Sequence, residues 1–116
     1  MNGSTNADSG ALTFGLYTTT SAAVGSFARI WANELKDRRI RVNTNIPGLT
    51  VTPGLNGTQP TEEKSAEFRD LLAGQVPMGR LADPDEIAAA VLFLACDRSS
   101  FITGSGLYAD GGLNQT

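Results

Sequence analysis

The four residues Asp83-Pro84-Asp85-Glu86 fix the start of a helix more tightly than any other stretch of the chain. An aspartate at the cap accepts from amides of the first turn, and proline suits the first helical position because the amide it lacks would be unpaired there anyway. A glutamate three residues after the cap reaches back to the cap amide. The helix is expected to continue through Ala90, Val91, Phe93 and Leu94 to about Asp97. Two more helices are expected upstream. Ser21 to Lys36 carries Val24, Phe27, Ala28, Trp31 and Leu35 at helical spacing, and Thr61, as N-cap, opens a helix to about Gln75 with Phe68, Leu71 and Leu72 on one side. Between them Ile40-Arg41-Val42-Asn43-Thr44-Asn45-Ile46 alternates like a strand and stops at Pro47-Gly48. Asn45 breaks its apolar face, so that face meets water or an unusual neighbour. The segment Gly54 to Gln59 reads as a mobile loop.

Composition removes whole classes of chemistry. The 116 residues contain no histidine, which excludes serine–histidine and cysteine–histidine hydrolase sites and histidine-rich zinc sites. General acids and bases must come from carboxyl groups, lysines, Tyr17, Tyr108 or water. Nine basic and twelve acidic residues give a net charge of −3 with no basic run, which argues against nucleic acid as a partner. The lone Cys96 has no disulfide partner within the chain and reads as a small packing residue at a helix end. No apolar run reaches the roughly 18 residues a membrane helix needs, so no membrane partner is expected. Met1 to Gly10 is polar, unlike a signal peptide, and a cytoplasmic location is the expectation. A single domain over residues 1–116 accounts for the length.

Several motifs, in order, resemble the short-chain dehydrogenase/reductase family. Ser4 lies thirteen positions before Tyr17, like that family's catalytic serine and tyrosine, and Asn2-Gly3-Ser4 resembles the end of the strand that delivers the serine. Pro47-Gly48-Leu49-Thr50-Val51-Thr52-Pro53 is similar to the loop whose threonine holds the nicotinamide carboxamide, making Thr52 the match. Phe101-Ile102-Thr103-Gly104 and Gly106-Leu107-Tyr108-Ala109-Asp110-Gly111-Gly112 resemble the final strand and its Asp-Gly-Gly signature. The resemblance implies an α/β fold, a partial, C-terminal-half Rossmann-like doubly wound sheet. It also implies a catalytic set of Ser4, Tyr17 and Ser21, the last standing where the family has a lysine four residues after the tyrosine. That lysine lowers the phenol's pKa and holds the cofactor ribose, and a serine hydroxyl supplies no such field. No Gly-x-x-x-Gly-x-Gly turn, the basis of diphosphate binding, precedes Ser4. No cofactor, or only residual weak NAD(P) binding, is therefore expected.

Three functional readings follow. The first is an oxidoreductase-like site for a small-molecule substrate that falls short of ordinary hydride transfer. The second is a cofactor-independent hydrolase, for instance a glycoside hydrolase, using carboxylates such as Glu63, Glu67 and Asp70, which share one helix face. The third is a noncatalytic assembly module. Two strands and three helices leave an unpaired strand edge and an apolar stripe at Val24, Phe27 and Trp31. Covering three or four such side chains is worth about 6 to 10 kcal/mol. Either a second copy covers them in a homo-oligomer, or Ala11 to Tyr17 repacks as a new strand.

Overall fold

The computed structural model describes residues 1–9 and 12–115. Its main elements are helix α1 (Gly15–Glu34), strand β1 (Thr44–Pro47), short helix α2 (Pro53–Asn56), helix α3 (Glu62–Ala73), helix α4 (Pro84–Ala95) and strand β2 (Gly106–Ala109). Short 3₁₀ turns cover Thr5–Asp8, Lys36–Arg38 and Asp97–Ser99. β1 and β2 pair in parallel, Thr44 opposite Gly106 and Pro47 opposite Ala109. The other edge of β1 is taken by the first residues of the chain. Asn2 bridges Asn45 in parallel, with the Gly3 amide on Asn45 O at 2.8 Å and the Asn45 amide on Met1 O at 2.9 Å.

Helix α4 starts as expected. The Asp85 amide donates to Asp83 Oδ1 at 3.0 Å and the Asp83 amide to Glu86 Oε2 at 2.9 Å. Arg80 adds two bonds of 2.7 Å to the two carboxylate oxygens of Glu86. Those bonds, with the Asp83 amide, hold the Glu86 carboxyl down to about 2 from its ordinary 4.5, and they raise Arg80.

Five expectations are corrected. α1 begins at Gly15, six residues before Ser21, because the threonine run reads as loop yet fits inside the helix. Thr19 and Thr20 donate back to the carbonyls of Gly15 and Leu16 at 2.8 and 3.0 Å. Tyr17 is therefore helical and no new strand forms over Gly15 to Tyr17, while Ala11 lies outside the described residues. β1 begins at Thr44 instead of Ile40, because the facing Phe101–Gly104 stretch is a turn and not a strand. Gly104 sits at φ 69°, which ends any extended run. One backbone bond, from the Gly104 amide to Val42 O at 2.7 Å, remains there, and side chains add the rest: Thr103 Oγ1 accepts from the Val42 amide at 3.1 Å and Asn43 spans Ile102 O and the Ser105 amide at 2.9 and 3.1 Å. Arg41 donates to Ser99 Oγ, Ile102 O and Cys96 O. Finally, Pro53 to Asn56 is a helical turn, because the Thr52 hydroxyl accepts from the Leu55 amide at 3.2 Å.

Asn45 is buried, 2 % exposed, and its amide donates to Asn2 Oδ1 at 3.0 Å, so its unusual neighbour is another asparagine. Polar residues make up most of the interior: Ser4, Thr5, Asn43, Thr44, Ser65, Ser99 and Asp110 are all buried, whereas Ala28 and Val76 are the buried apolar residues. Phe27, Ile30 and Trp31 share one face of α1 and stand exposed, Phe27 and Trp31 with ring centroids 5.5 Å apart. A radius of gyration of 15.7 Å exceeds the about 13 Å of a compact chain this long, in keeping with those uncovered faces.

Candidate functional site

A cavity of about 820 Å³ opens between the first turn of α1, the loop after β1 and the start of α4. Ser4, Tyr17 and Thr52 all border it, with Phe14, Leu55 and Ile87 among its apolar walls. Ser4 caps the first 3₁₀ turn, its Oγ accepting from the Asn6 amide at 3.2 Å, so its proton stays free to donate. Tyr17 is half exposed, and the Phe14 ring meets it edge-on at 6.3 Å and 70°. Thr13, just before Phe14, holds φ 72°, a strained conformation for a β-branched residue. Thr52 caps α2 with its oxygen and likewise keeps a proton.

Ser21 does not join them. It lines a second cavity of about 290 Å³ between α1 and the sheet, where Ser4 forms part of the wall. The next helical turn is about 5.4 Å along the axis, a distance a lysine side chain spans and a serine does not.

Among the described residues that line the larger cavity, none carries a charged side chain. Its described wall of hydroxyls and apolar side chains suits a neutral polar group better than an anion. Glu63, Glu67 and Asp70 are exposed on α3 and do not line it. Their neighbour Glu62 pairs with Arg69 at 2.8 Å. Among the described residues no group of three or more His, Cys, Asp or Glu is placed to hold a metal, and no helix is long and apolar enough to cross a membrane.

Sequence reasoning missed one pair. The Tyr108 hydroxyl donates to Asp8 Oδ2 across 100 positions. That bond, with partial burial and the charge of Asp8, raises the Tyr108 pKa above its ordinary 10.0. No local pattern links two residues so far apart. Phe14, beside Tyr17, was missed for a different reason, since its role depends on α1 starting early.

A family model described as enoyl-(acyl carrier protein) reductase matches residues 2–114. The 3-oxoacyl-[acyl-carrier-protein] reductase of Thermotoga maritima is 39% identical over 97 residues, covering 84% of this chain and 37% of that protein. Dehydrogenase OXI1 of Cochliobolus heterostrophus is 40% identical over 111 residues, 95% of this chain and 47% of its own length. Among solved structures, an oxidoreductase of the short chain dehydrogenase/reductase family from Burkholderia thailandensis superposes with a TM-score of 0.88 at 31% identity, covering 99% of this chain and 44% of that one. The chain thus spans less than half the length of these relatives.

Proposed function

The chain belongs to the short-chain dehydrogenase/reductase family, with the family's parallel Rossmann-like layering, and from that membership we propose that its larger cavity receives the carbonyl or hydroxyl group of a small-molecule substrate. Ser4 donates its free proton to the substrate oxygen, and Tyr17 exchanges a proton with it. By itself the chain does not carry out ordinary hydride transfer. The observation that supports this reading is that Ser4, Tyr17 and Thr52 border one uncharged cavity while Ser21 lines another.

A nicotinamide dinucleotide, when bound, supplies the hydride chemistry of this family. Thr52 would hold the carboxamide end. The remaining residues of the cavity wall offer no cation to the diphosphate, so the fit extends to the nicotinamide end alone. Orientation by the rest of the dinucleotide is worth roughly 7 to 11 kcal/mol in reactions of this type, more than one restored charge provides. Calorimetric titration with NADH and NADPH, followed by alcohol and ketone assays of wild type and Ser21→Lys, tests the reading. Binding weaker than low micromolar and no turnover in either protein are expected. Saturable low-micromolar binding, or dehydrogenase turnover in Ser21→Lys alone, would overturn it. A cofactor-free hydrolase in this cavity would need a carboxylate brought to it, since its described wall residues carry none.

A second reading, assembly through α1, rests on the outward Phe27, Ile30 and Trp31. A twofold axis lets one such face cover its copy. Light scattering at micromolar concentration should report more than a monomer, and a compact monomer would sink this reading.

A further inference from the structure

We propose that the smaller cavity, between α1 and the β1–β2 ribbon, is a binding site for a small monoanionic carboxylate held by Arg29. Ser21, Gly25 and Arg29 are spaced by four and share one face of α1, and all three line this cavity. Helical side chains lean toward the N-terminus of their helix. Arg29 does so over a residue with no side chain: a Cβ on Gly25 would lie 3.8 Å from Arg29 Nη1. The guanidinium is thereby laid back along α1 toward Ser21. No hydrogen bond or ion pair joins it to any other of the described residues. Its planar fork of N–H donors matches the two oxygens of a carboxylate.

The opposite wall supplies the second observation. Thr44 lines the same cavity and is 2 % exposed, yet its Oγ1 has no hydrogen-bond partner among the described residues. Buried hydroxyls are rarely left so, because an unmade bond forfeits the solvation given up on burial. A ligand oxygen between Arg29 and Thr44 satisfies both, with the Ser21 hydroxyl at hand as a further donor. Asp8 also lines the cavity and already accepts from Tyr108. Its negative charge repels a dianion about twice as strongly as a monoanion, which favours a carboxylate over doubly charged phosphate.

The test is an amide chemical-shift titration of the ¹⁵N-labelled chain with sodium propionate at constant ionic strength, with sodium phosphate and sodium chloride as parallel arms. Saturable shifts at Ser21, Gly25, Ser105 and Gly106 are expected with propionate, weaker ones with phosphate, and none with chloride. Arg29→Gln should weaken propionate at least about tenfold, as loss of a charge-assisted bidentate pair does. Arg29→Lys, which keeps charge and stem but loses the fork, should weaken it less but measurably, and it stands in should the glutamine variant disturb the fold. Non-saturating shifts shared with chloride, phosphate binding as tight as propionate, or unchanged affinity in the folded Arg29 variants would overturn the proposal. Neither outcome depends on nicotinamide binding or turnover, so this site stands or falls apart from the larger cavity.

Discussion

At the carboxyl end of the β1–β2 ribbon, backbone meets backbone. A Cβ on Gly48 would lie 2.7 Å from both Cα and Cβ of Asp110, and one on Gly111, at φ 64°, 2.6 Å from Val76 Cγ1. Asp110 is buried and its carboxylate accepts from the amides of Gly112 and Asn114 at 3.0 and 3.1 Å. Along α1 the contact is looser. Ala28 is its buried residue, a Cβ on Gly104 would meet Ala32 Cβ at only an ordinary van der Waals 3.5 Å, and two cavities open along α1 between Phe14 and Arg29. The helix has no side-chain cap, whereas α4 has a complete capping box. The part of the molecule with the strongest local instructions supplies cavity wall at Gly48, Pro84 and Ile87, and the part that carries Tyr17 and Ser21 depends on its surroundings for its shape.

The largest expected effect is at the tight end. Gly48→Ala should cost about 1 to 3 kcal/mol in urea unfolding, the usual range for forcing atoms into a filled space. A change of only a few tenths would mean that the ribbon end yields as easily as α1, and the contrast would be broken. The two helix starts should respond with opposite signs. Asp83→Ala should destabilise by about 1 kcal/mol through the lost cap, while Thr13→Gly should stabilise by up to about 1 kcal/mol by relieving the left-handed backbone at φ 72°. Destabilisation by Thr13→Gly would show that the entry to α1 is held firmly after all.

Smaller still is Trp31→Ala, expected below about 1 kcal/mol in the dissociated chain, against about 3 to 5 kcal/mol for a buried aromatic. The same variant should lower the mass seen by light scattering at micromolar concentration if α1 mediates assembly. The smallest effect is acid sensitivity at α4. Glu86 titrates near 2 when folded against an ordinary 4.5, so its contribution is complete above 4.5 and fades as pH falls toward 2. The pair is exposed and screened by salt. A slight low-pH loss of helical circular dichroism should therefore shrink in Glu86→Gln, and an equal loss in both proteins would remove Arg80–Glu86 from the account.

The start of α4 was legible because cap, proline and glutamate lie within four residues and act on each other directly. Ser4, Tyr17 and Thr52 were legible as an ordered set of motifs, although composition alone would not have brought them together. The start of α1 was not, since threonine hydroxyls that suggest a loop bond just as well to carbonyls one turn back. Nor was the true start of β1 visible in the alternation of Ile40 to Ile46, because a glycine at position 104 decides it from across the ribbon. Asp8 and Tyr108, and the laid-back Arg29, depend on distances that no window of sequence contains.

The bonds that Arg41, Val42 and Asn43 make to the Cys96–Ser105 stretch all close loops of 55 to 62 residues. Closing a flexible loop of that size costs about 4 kcal/mol of chain entropy before any bond repays it. During synthesis β1 must therefore wait, without its β2 neighbour, until some sixty further residues have been added. An apolar strand left waiting would pair with whatever edge it met first. The run Asn43-Thr44-Asn45, costly to bury in the finished sheet, makes this strand a poor match for strangers while its proper neighbour is still being made.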